Sequence, residues 1–97
     1  MKTATTLWDP IDNLTSPEAE QAYIEAAFED GDPALIAAAI GDIARARGMS
    51  QIAKDAGLSR ETMHKAFRHE GNPTLKTLTK VLAALGLKLS ASAAKPA

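Results

Sequence analysis

Apolar positions recur at three- and four-residue intervals along most of this chain, and three of the periodic runs begin at a proline that follows a capping residue. Ser16-Pro17, Asp32-Pro33 and Asn72-Pro73 each read as N-cap then N1. Proline at N1 gives up no helical hydrogen bond and pushes the residue before it out of the α region, where an N-cap belongs. The first start predicts a helix from Pro17 to about Glu29, with Ala19, Ala22, Tyr23, Ala26 and Ala27 as its stripe and Asp30-Gly31 as its end. The second predicts Pro33 to Arg47, with Leu35, Ile36, Ala39, Ile40, Ile43 and Ala44 inward and Gly48 as its stop. The third predicts about Pro73 to Leu85, burying Leu75, Leu78, Val81, Leu82 and Leu85, with Gly86 at C′.

Between the second and third runs, residues 50–67 carry a different pattern, that of two short helices joined by a sharp turn. Ala53 is small where one helix must lie close to the next, and Gly57, four positions on, sits where the chain must turn with positive φ. Ser59 then caps the second helix. Met63 and Ala66, three apart, face the first helix, whereas Arg60, Glu61, His64 and Lys65 face outward, as a helix lying in a groove requires.

The two ends fit none of these runs. Leu87-Lys88-Leu89-Ser90 alternates apolar and polar, which allows a short C-terminal strand needing a partner from a second copy or another protein, and Ala91 to Ala97 is expected to fray. Residues 1–15 have no helical period, yet Leu7, Trp8, Ile11 and Leu14 make them an apolar arm that covers the core or a partner.

Composition sharpens this picture in one respect, the distribution of charge. A chain of 97 residues with 45% hydrophobic and 24% charged content is one small globular domain, with a modest core that dimerisation would help. The net charge of −1 conceals an asymmetry about Pro33. Up to that residue one base, Lys2, stands against eight acids, a net of −7; beyond it ten bases stand against four acids, a net of +6. The basic part suits phosphate neutralisation and the acidic part a basic protein partner. With no cysteine, no long apolar run at the start and no stretch able to span a bilayer, the expected setting is cytoplasmic, without disulfides.

Catalytic chemistry finds little to work with. His64 and His69 are five apart, off the i, i+4 spacing of a helical metal pair, and His69 falls where the helix should end. There is no Gly-rich phosphate loop and no nucleophile paired with a base, and Asp9 and Asp12 lie in an extended segment. Neither a metal nor a cofactor is expected, nor an enzyme. DNA recognition is better supplied. Arg60 can donate twice to guanine, and His64 or Lys65, a turn further on, can reach a base edge or phosphate. Gln51, Ser59 and Arg68 are placed for phosphates. Glu61 can accept from cytosine, but an ion pair with Lys65 four positions on is the expected arrangement. In the last turn of their helix, Arg45 and Arg47 oppose its dipole, which accounts for them without DNA.

Taken together, Asp30-Gly31-Asp32-Pro33-Ala34-Leu35, the run Ile40 to Met49, Ala56-Gly57-Leu58-Ser59-Arg60-Glu61 and Glu70-Gly71-Asn72-Pro73 resemble the addiction-module antidote proteins, HigA-like antitoxins with an Xre/Cro-type DNA-binding domain. The similarity covers most of residues 16–90. It implies a homodimer that neutralises a RelE/HigB-like toxin and represses its own operon by binding double-stranded operator DNA, with the recognition helix starting at Ser59, Arg60 and Glu61. Where the family usually has Tyr-Lys-Ala-Leu, this chain has His64-Lys65-Ala66-Phe67. The reading is therefore an all-α, five-helix, lambda-repressor-like domain at 16–90 with an N-terminal arm at 1–15 and a tail at 91–97. DNA meets Gln51, Ser59, Arg60, Glu61, His64, Lys65 and Arg68; a toxin meets Leu7, Trp8, Ile11 and Tyr23. Two alternatives are a stand-alone repressor without a toxin and a protein-interaction module that never touches DNA.

Overall fold

The computed structural model describes residues 16–68 and 70–94. Expectations placed on Leu7, Trp8, Asp9, Ile11, Asp12, Leu14, His69 and the last three residues lie outside that range. Among the described residues there are five helices: α1 Pro17–Asp30, α2 Pro33–Arg47, α3 Met49–Ala56, α4 Arg60–Phe67 and α5 Leu75–Ala84.

Two of the three expected caps form. Ser16 is extended and its hydroxyl accepts from the Ala19 N–H at 3.1 Å, and the Asp32 carboxylate accepts from the Ala34 N–H at 3.0 Å. The third start is displaced. Thr74, not Asn72, caps α5, accepting from the Thr77 N–H at 3.1 Å. The cause is the close approach of Gly71 to α4: a Cβ there would lie 2.3 Å from the Ala66 carbonyl oxygen, so the chain leaves α4 pinned to its backbone. Asn72 and Pro73 continue without helical structure until a second capping residue is reached.

Helices α2 and α3 form the centre: α2 touches α1, α3 and α4, and α3 packs in turn on α4 and α5. Phe67, Ile40, Ile43, Met63 and Val81 are the largest fully buried side chains. Gly41 is what lets α4 end against α2: a Cβ at this position would sit 2.6 Å from the Phe67 carbonyl oxygen. Between α3 and α4, Gly57 has φ +72°, the conformation the turn demands. The Leu58 N–H reaches back to the Ala53 carbonyl at 2.8 Å and the Gly57 N–H to Lys54 at 3.1 Å, the paired bonds that close a helix end. The same pair of bonds closes α5, from Leu87 to Leu82 at 2.7 Å and from Gly86 to Ala83 at 3.0 Å.

Four expectations from the apolar pattern change. On α1 the inward residues are Glu20, Ile24 and Ala27 with Tyr23 half-buried, while Ala22 and Ala26 are exposed. Burying an isoleucine removes more apolar area than burying alanines, so Ile24 sets the rotation of the helix. Leu35 and Leu75 are exposed, at 44% and 66%, because each lies in the first turn of its helix ahead of the packed row. Residues 87–90 form no strand; Leu87 and Leu89 pack instead as half-buried residues on the core. Ala37 joins the core, outside the expected stripe of α2.

Candidate nucleic-acid interface

The outward side of α4 follows from what its inward side must bury. Successive helical residues turn by about 100°. With Met63 and Phe67 inside, Glu61 and Lys65 point away from the core, Arg60 and His64 run along one flank, and Thr62 lies along the other. All five are exposed, as is Arg68, which follows the helix in extended backbone. The structure thus brings Arg60, Glu61, His64, Lys65 and Arg68 to one side of α4 and its end. Among the described residues no ion pair joins Glu61 to Lys65, in place of the pairing expected from their spacing. Both side chains are exposed, where such a pair contributes only a few tenths of a kcal/mol and is easily given up to solvation.

The proposed phosphate contacts are differently placed. Gln51 is exposed on α3, and its side-chain amide donates to Asp55 at 2.9 Å. Ser59 accepts from the Thr62 N–H at 3.0 Å and donates to the Thr62 hydroxyl at 2.8 Å, so its first role is to start α4. Thr62, on the other flank of α4, is also exposed and was not singled out by the spacing.

A second polar arrangement lies across α1 and α2. Arg47 donates through Nε to Glu20 at 3.0 Å and through its terminal nitrogen to the same carboxylate oxygen, and it also reaches the Leu85 carbonyl at 3.4 Å. The hydrogen bond to Glu20, reinforced by its charge and opposed by burial, holds the guanidinium above its ordinary pKa. Tyr23 donates to Asp42 at 2.8 Å, and Asp42 also pairs with Arg45 at 2.8 Å. Burial first, then the bond to Asp42 and that residue's charge, push the Tyr23 phenol up to about 12. Arg45 and Arg47 are therefore occupied by carboxylates, beyond the dipole role their place in α2 suggested. Asp42 to Arg45 was legible as an i, i+3 pair, whereas Glu20 and Arg47 are 27 residues apart and gave no local signal.

Among the described residues, no helix is long and apolar enough to cross a membrane, and no group of three or more His, Cys, Asp or Glu side chains could hold a metal ion. What remains is a small all-helical protein in which α3, a tight turn and α4 present a charged outer face. Within that class, the chain belongs to the family described as probable addiction module antidote proteins, whose model it matches over residues 4–93. That membership suggests an antitoxin and bears out the resemblance to addiction-module antidote proteins at the level of the family. An uncharacterized protein of Haemophilus influenzae is 49% identical over 81 residues, covering 84% of this chain and 84% of its own. No solved structure matches the chain.

Proposed function

We propose that this antitoxin works through two faces, neutralising a RelE/HigB-like toxin with one and repressing its own operon with the other, as a cytoplasmic homodimer without catalytic activity. The observation that carries the DNA half is the rotation of α4: burying Met63 and Phe67 leaves Arg60, His64 and Lys65 together in solvent. In this reading α3 and α4 are an Xre/Cro-type helix-turn-helix within a domain at 16–90. Arg60 reads a guanine, His64 and Lys65 reach a base edge or phosphate, and Gln51, Ser59 and Arg68 contact phosphates that fix register. Glu61, with no ion-pair partner among the described residues, is available to accept from cytosine. Two such helices in a dimer enter successive major grooves about 34 Å apart on a palindromic operator.

The toxin half is supported by charge. Helix α1 exposes three glutamates, Glu18, Glu25 and Glu29, with its terminal Asp30, and carries no base. With Leu7, Trp8 and Ile11 of the preceding arm and the ring of Tyr23, it suits a basic surface on the toxin.

Co-expression with the product of the adjacent gene tests both halves at once. The intact chain should rescue growth and silence a reporter behind its own upstream DNA. The Arg60→Ala, His64→Ala, Lys65→Ala triple variant should still rescue but no longer silence. Removing residues 1–15 should weaken toxin binding while leaving the reporter silent. Failure of the intact chain to rescue growth contradicts the toxin half, and silencing by the triple variant contradicts the DNA half.

A further inference from the structure

Beside the Glu20–Arg47 pair lies a cleft of about 210 Å³ between the first half of α1, the end of α2 and the turn after α5. Ile24, Ile43, Leu85 and Leu87 give it apolar walls, and Glu20 and Arg47 a polar one. We propose that this cleft is the seat of Trp8 of the same chain. The inference concerns the chain without its partners and does not rest on the two-face reading; for Trp8 to meet a toxin it would have to leave this seat.

Three observations select this occupant. The first is the polar wall. Glu20 is only 7% exposed, and both donations from Arg47 go to one of its carboxylate oxygens, Oε1. Among the described residues nothing donates to Oε2, so the polar wall keeps an open acceptor beside apolar side chains, which fits a ligand that is apolar with one N–H. The second is size. A cavity of about 150 Å³ lined by apolar side chains accommodates benzene, and this cleft is larger, as an indole requires.

The third is where the chain enters. Pro17, the first residue of α1, lies on the rim, so residues 1–15 join the described structure there. Trp8 precedes Pro17 by nine positions, a reach of at most about 30 Å when extended, so the cleft is accessible to it with slack for a turn. Within 1–15 it alone combines a large ring with a side-chain donor that seeks a partner when buried; Leu7, Ile11 and Leu14 have none. At the other end, residues 95–97 are Lys-Pro-Ala and supply no ring. Seated here, Trp8 would tie the arm to α1, to the end of α2 and to the turn after α5 together.

The chain has a single tryptophan, so its fluorescence reports on this residue alone. In the intact chain without partners, emission should be blue-shifted from that of a free tryptophan amide, protected from acrylamide and unchanged on dilution. Leu87→Asp should abolish the shift while circular dichroism keeps its helical signal. Because that variant could also loosen the end of α5, a second measurement uses the unaltered chain: nuclear Overhauser contacts from the indole protons to the Ile24 and Leu87 methyls should be present. Solvent-like emission, absence of those contacts, a shift that fades on dilution and so belongs to a second copy, or one that appears only when another protein is added would each overturn the proposal.

Discussion

Helices α1 and α4 both lie against α2, but different forces hold them. Helix α4 is fixed by apolar burial, through Met63 and Phe67, and by a backbone approach that only Gly41 permits. None of its charged side chains is needed for attachment, so the whole outer face can be spent on a partner. Helix α1 buries Ile24 and Ala27 and is otherwise held by polar links, Glu20 to Arg47 and Tyr23 to Asp42. Its attachment thus consumes part of the charge that distinguishes the acidic half of the chain from the basic half. A face built on packing should be insensitive to salt and pH in its own stability. One built on ionic and phenolic hydrogen bonds should respond to both.

Substitutions can break this contrast in order of size. Phe67→Ala should cost about 3–5 kcal/mol, enough to unfold much of a domain this small, and would show as a large fall in the urea midpoint. Gly41→Ala should cost about 1–3 kcal/mol by forcing α4 away from α2, a loss that added salt would not deepen. Glu20→Gln or Arg47→Met should cost about 1 kcal/mol, since the pair is only partly enclosed, and a double-mutant cycle should show the two losses to be shared. Equal salt sensitivity of the Gly41 and Glu20 losses would erase the distinction between the two helices.

The smallest effect belongs to Tyr23. Its folded pKa of about 12 lies above the ordinary phenol value of 10.0. The folded state therefore favours the protonated phenol, and its contribution is fully present below pH 10 and lost as pH rises through the folded value of about 12. Alkaline melting of the intact chain should fall across that window, and Tyr23→Phe should flatten the fall. An unchanged profile in the variant would assign the alkaline loss to other groups.

Local signals carried most of the fold. Proline after a capping residue located the starts of α1 and α2, and glycine located the turns at 31, 48, 57 and 86, all of which have positive φ. They misplaced the start of α5 because Asn72-Pro73 has the same local form, and only the contact of Gly71 with α4 decides against it. Periodicity found the buried rows of α2 and α5 but extended them one turn too far, to Leu35 and Leu75, because a period does not reveal where a neighbouring element stops. On α1 the period fitted two faces; burial of Ile24 decides between them, and the accompanying contact of Glu20 with Arg47, 27 residues on, left no local signal. The outer face of α4 was legible because the same 3.6-residue repeat that buries Met63 and Phe67 dictates what remains outside.

That the outer face of α4, left free by its apolar attachment, reads DNA is tested most directly by a binding titration of the chain on its own upstream DNA and on a scrambled duplex over a range of salt, repeated with Arg60→Ala. The account predicts preference for the upstream DNA, affinity falling linearly on a log-log plot against salt, and a loss of about 1–3 kcal/mol for Arg60→Ala on the upstream sequence with a smaller loss on the scrambled one. Equal affinity for the two duplexes, or an equal loss on both, would contradict it.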